Sequence, residues 1–128
     1  MRLYDETNQN ILDTSHFRYI MLDGSRVRLY NEKQDEGGKF AAAYSIPFSS
    51  PVEAKEKFDE LSEEPGWYSI TRNSVPHLVN TFGFRRFYAV ESEDGRGTIY
   101  FFNSENDYLR INCKTYKDAC ESLKSLIL

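Results

Sequence analysis

Histidine and cysteine are scarce, two of each in a chain of 128 residues, and that scarcity excludes most of the chemistry these side chains carry. Cys113 and Cys120 match neither a Cys-x-x-Cys redox pair nor the ligand spacing of a zinc site, so both read as reduced, mostly buried thiols. His16 precedes a strand-like segment and His77 follows Pro76. Neither is spaced to pair with a carboxylate or thiol as a catalytic base, and both read as surface or packing residues. Asp118 and Cys120 fall on different faces of one helix, so they form no catalytic pair. No helix start bearing Lys-Ser or Lys-Thr follows Gly37-Gly38 or Gly95-Arg96-Gly97, which removes a phosphate loop. Glu60, Glu63 and Glu64 lack the alternating oxygen ligands of a calcium loop. The expectation is a protein that is not an enzyme and holds no metal or cofactor.

Long apolar runs are missing too. Nothing approaches the roughly 18 residues of a membrane span, and the segment from Met1 to Asn8 lacks the hydrophobic stretch of a secretory signal. These features predict a soluble, cytoplasmic chain with no membrane partner. There is no excess of basic residues: 16 Lys and Arg stand against 20 Asp and Glu, a net charge of -4. That balance weighs against a surface wholly given to nucleic acid while leaving a local basic face open. At 40% hydrophobic, a chain of this length buries one core rather than two, so residues 1–128 are expected to form a single domain.

What the sequence does contain is an internal echo. Ser50-Pro51-Val52-Glu53 is a capping box with proline at the first helical position. Ala54, Phe58 and Leu61 then form one apolar stripe, Lys55, Glu56, Asp59 and Glu60 the polar face, and Glu63-Glu64-Pro65-Gly66 the stop. Thr115 and Asp118 repeat the cap, and Ala119, Leu123 and Leu126 repeat the stripe, joined by Cys120 and Ile127. Both helices are expected to dock through these residues.

The echo extends backwards. Tyr44-Ser45-Ile46-Pro47-Phe48 mirrors Leu109-Arg110-Ile111-Asn112-Cys113. Arg26 to Asn31 mirrors Thr98 to Asn103, and Phe17 to Ile20 mirrors Phe87 to Val90. Asp23-Gly24 and Asp94-Gly95 supply the hairpin turns. Between the copies, Trp67 to Thr71 reads as an extra strand and Ser74 toward Gly83 as a turn or short helical piece; Arg2-Leu3-Tyr4 is the counterpart of that strand in the first copy. The connection from Glu32 to Lys39 reads as a surface hairpin tip. The sum is an α+β fold, a mainly antiparallel sheet with two helices on one face, built from two strand-strand-strand-helix repeats of approximately residues 1–64 and 65–128.

Helices on one sheet face leave the other face for a partner. If Leu109, Ile111, Ile99 and Phe101 point inward, then Tyr100, Phe102, Tyr108, Arg110 and Lys114 point outward, and Val27 and Leu29 inward leave Arg26, Arg28 and Tyr30 outward. This set is aromatic and basic. It suits a protein interface, where Tyr and Arg serve as anchors, and the net negative charge favours that reading. The expected function is a small intracellular protein-binding module, an inhibitor or adaptor, acting through this face or through the acidic first helix; a homodimer would use the same surfaces. The second reading is single-stranded DNA or RNA, whose bases stack on aromatics while arginine meets phosphate. In element order alone the doubled unit resembles single-strand binders of the Whirly and PUR type, which implies that second reading by analogy of fold.

Overall fold

The computed structural model describes residues 1–31, 44–72 and 75–127; all strand pairs are antiparallel and two α-helices accompany them, giving an α+β fold. The connection of residues 32–39 and the expected helical start at Ser74 lie outside the described residues. The chain divides into two compact units, one of residues 1–31, 44–72 and 75–81, the other of residues 82–127.

In the first unit Arg2–Asp5 (β1) pairs with Asn10–Asp13 (β2) as a hairpin of its own. Its polar loop closes on buried Asp5, whose carboxylate accepts from the amides of Thr7 (3.1 Å) and Asn8 (3.4 Å) and from Asn8 Nδ2 (2.9 Å). Tyr19–Asp23 (β3) turns into Arg26–Tyr30 (β4) through Gly24-Ser25. Gly24 has φ +60° and Ser25 no positive φ, the pattern of a type II′ turn that fits the twist of the strands. Tyr44–Pro47 (β5) pairs with β4 and leads into helix Pro51–Ser62 (α1). Ser50 Oγ accepts from the Glu53 amide at 3.1 Å as the cap signal requires. The Glu53 carboxylate accepts from the Ser49 hydroxyl instead of reaching back to Ser50. Trp67–Arg72 (β6) and Val75–Asn80 (β7) complete a five-stranded sheet in the order β5-β4-β3-β7-β6.

Two expectations change here. The segment toward Gly83 is not a turn or helical piece: residues 75–80 form β7, and only Thr81–Gly83 make a short 3-10 turn. The extra strand expected at Trp67 to Thr71 pairs with β7 and through it joins β3 in the sheet of the first unit, and Arg2-Leu3-Tyr4 pairs with β2. Proline fits poorly in a strand with neighbours on both sides, because it has no amide to donate. The ladder from β7 to β3 ends at His77, however, so the amide that Pro76 lacks is not needed on that side. The docking is fastened by Asn80, whose side-chain Nδ2 donates to the carbonyls of Ser15 (3.0 Å) and Phe17 (3.1 Å) while its amide donates to Arg18 (2.8 Å). Ile20, Val27, Leu29, Ile46 and Leu78 on the sheet, Ala54, Phe58 and Leu61 on α1, and Leu3, Leu12 and Phe17 form one buried core.

The second unit is a three-stranded meander, Arg86–Glu91 (β8), Gly97–Ser104 (β9) and Asp107–Cys113 (β10), ordered β10-β9-β8, followed by helix Tyr116–Lys124 (α2). Thr115 Oγ1 caps α2 by accepting from the Asp118 amide at 3.0 Å. Ile99, Phe101, Leu109 and Ile111 are buried with Ala119, and Phe101 meets the rings of Phe84 (5.8 Å) and Phe87 (5.4 Å). Leu123 and Leu126, expected in the core, are only half-buried, because α2 meets the β9 backbone through its N-terminal half. Both units thus run a three-strand meander into a capped helix. The strands belong to three sheets rather than one, and each helix packs on strands of its own unit.

Candidate functional site

The register of the second unit places the outward residues on a grid. One cross-strand row is Tyr88, Tyr100 and Arg110, and the next is Arg86, Phe102 and Tyr108; Val90, Thr98 and Asn112 form a third. All lie on the face turned away from α2, because strand side chains alternate and Ile99, Phe101, Leu109 and Ile111 take the other face. Tyr100, Phe102, Tyr108 and Arg110 are therefore brought together as the alternation predicted. Lys114 lies beyond the end of β10, exposed and outside the grid.

The rings engage one another. Tyr88 and Tyr100 stack with centroids 5.0 Å apart and planes 3° from parallel; Phe102 and Tyr108 stack at 6.4 Å and 26°. Tyr88 also meets Phe102 edge-on at 6.0 Å, and Tyr100 meets Tyr108 at 5.9 Å. Such pairs prefer offset or edge-to-face arrangements and add to burial by about 0.5–1.5 kcal/mol each. The guanidinium of Arg86 lies over Tyr88, 4.6 Å from the ring centroid. Tyr88 and Arg86 were missed in the sequence. The alternation that turns Phe87 toward Phe101 would have placed both on the outer face.

The residues expected from the first unit fare differently. Tyr30 points away from the α1 side, as alternation requires, but it is buried at 8% exposure against Tyr19, with centroids 5.8 Å apart. Tyr19 in turn shares a hydrogen bond with His77 Nδ1, a buried contact that makes His77 a packing residue. Arg28 is held by Asp23 at 2.8 Å and Arg26 Nη1 donates to Ser45 Oγ at 3.2 Å. Expectation made these three an outward surface; Tyr30 is withdrawn from it because Tyr19, its cross-strand neighbour on β3, packs edge-on against its ring. The acidic face of α1 is partly neutralised by its own lysines, Lys55–Asp59 at 2.7 Å and Lys57–Glu60 at 3.1 Å.

No protein-family model, curated protein or solved structure matches this chain. The likeness to Whirly and PUR single-strand binders accordingly rests on element order alone. Among the described residues no group of three or more His, Cys, Asp or Glu side chains converges to hold a metal ion. No helix among them is long and apolar enough to cross a membrane.

Proposed function

We propose that this chain is a non-enzymatic binding module of the cytoplasm, an inhibitor or adaptor whose partner is a protein met on the outer face of the second sheet. The observation that carries the reading is the ring geometry. Bases bind open sheets by stacking on aromatic faces, which must be free to receive them. Here Tyr88 and Tyr100 lie face to face, Phe102 and Tyr108 nearly so, and Arg86 lies on Tyr88, so each of the four rings already has a face turned to a neighbour and Tyr88 has both engaged. What such a cluster offers is a rigid, amphipathic contact area with little rotamer entropy to lose, which is what tyrosine supplies at protein interfaces. The acidic helix α1 is the weaker candidate, since two of its acids already hold lysines.

The test is affinity capture from an extract of the source cells with the wild-type protein and Tyr100→Ala side by side. A protein retained by the wild type and lost by the variant, with the far-ultraviolet spectrum unchanged, is the expected result. Retention by both at equal strength would remove the sheet face from the interface. A second copy of the chain as the retained species would make the module a homodimer.

A further inference from the structure

Resting on the reading of the second sheet as a protein-docking face, we infer that the partner presents an acidic side chain to Arg86 beside an apolar or aromatic one: the face takes an acidic, apolar-containing peptide segment rather than a neutral or basic one. The three outward rows hold two arginines, Arg86 and Arg110, and no carboxylate. Arg86 is exposed, and its contact among the described residues is the ring of Tyr88. A guanidinium laid over a tyrosine is restrained in position while the N–H groups in its own plane point sideways, free to grip a carboxylate with two parallel hydrogen bonds. Stacking therefore prepares Arg86 before the partner arrives, which lowers the entropy lost on binding. The adjacent half-buried rings of Phe102 and Tyr108 supply the apolar contact next to that grip. A basic partner would meet the like charge of Arg86.

The experiment titrates the whole protein with labelled peptides built from repeats of Glu-Ser-Phe, their Gln-Ser-Phe and Lys-Ser-Phe counterparts, and oligothymidylate. The Glu peptide is expected to bind roughly tenfold or more tightly than the Gln peptide, as a charge-assisted hydrogen-bonded pair implies. Arg86→Gln should abolish that preference, and Arg86→Lys should restore only part of it, because an ammonium keeps the charge and loses the fork. Equal binding of the Glu and Gln peptides, binding of neither, or a preference that survives Arg86→Gln overturns the inference. So does oligothymidylate outcompeting the Glu peptide, which would turn the guanidinium toward phosphate. Tyr100→Ala separates the two claims: if it weakens both peptides while Arg86→Gln changes nothing, the docking face stands and the acidic partner falls. If it changes neither peptide, the docking face itself falls.

Discussion

A β-carbon placed on Gly97 would lie 2.7 Å from both Ala119 Cβ and the Thr115 carbonyl oxygen and 2.8 Å from Tyr116 Cα. Two of these neighbours are backbone atoms of α2 and its cap, which cannot swing aside, so glycine is what lets the helix approach β9. Gly97→Ala should lower stability by about 1–3 kcal/mol, the range of overpacked cores, seen as a lower denaturant midpoint with unchanged slope. A midpoint at the wild-type value would mean that α2 stands off the sheet in solution. Asp94 makes a second residue-level case. Its carboxylate accepts from the Ser92 hydroxyl and from the Arg96 amide at 3.3 Å, and these bonds, with the nearby Arg96 charge, hold its pKa below the ordinary 3.8. A depressed folded pKa means that the stabilisation is present above the unfolded value and lost as pH falls through the folded one. The Arg96 amide resonance should accordingly titrate with a midpoint below 3.8, and a midpoint at or above that value would show the turn bonds to be absent.

The two helices look alike in sequence and differ in what they bury. Phe58 and Leu61 of α1 are buried in the first core, whereas Leu123 of α2, in the place of Phe58 on its stripe, is half-buried. Leu61→Ala should therefore cost about 2–5 kcal/mol, through lost transfer and a residual cavity. Leu123→Ala should cost roughly 1 kcal/mol, because less area leaves water on folding and solvent fills the gap. Equal midpoints for the two variants in urea would contradict the burial difference. The caps, by contrast, are equivalent: Ser50 and Thr115 each accept one amide of the first turn. Each alanine substitution there is worth about 1 kcal/mol.

At the scale of the whole molecule the charge balance bears on the choice of partner. A net charge of -4 repels at long range a nucleic acid charged at every nucleotide, and the described sheet face offers Arg86 and Arg110 rather than a continuous row of cations to follow a phosphate backbone. Single-stranded DNA and RNA oligonucleotides should bind no more tightly than about millimolar at low salt. Micromolar binding that falls steeply with salt, and less steeply in Arg110→Ala, would instead establish phosphate contacts and reverse the order of the two functional readings.

Sequence by itself determined whatever rests on neighbours a few residues apart. The caps at Ser50 and Thr115, the turn at Gly24 and the alternation that buries Ile99, Phe101, Leu109 and Ile111 are local patterns, and the outward placement of Tyr100, Phe102, Tyr108 and Arg110 followed from that alternation. Read one strand further, the same rule would have yielded Arg86 and Tyr88. Only the tertiary structure decided which strands are neighbours. That β7 joins β3, that β1 pairs with β2 and that Tyr30 is buried are consequences of segments distant along the chain meeting in space, where proline's missing amide or a tyrosine's exposure depends on the neighbour rather than on the residue. The stacking of Tyr88 on Tyr100 belongs to the same class, since cross-strand register, and not composition, sets which rings face each other.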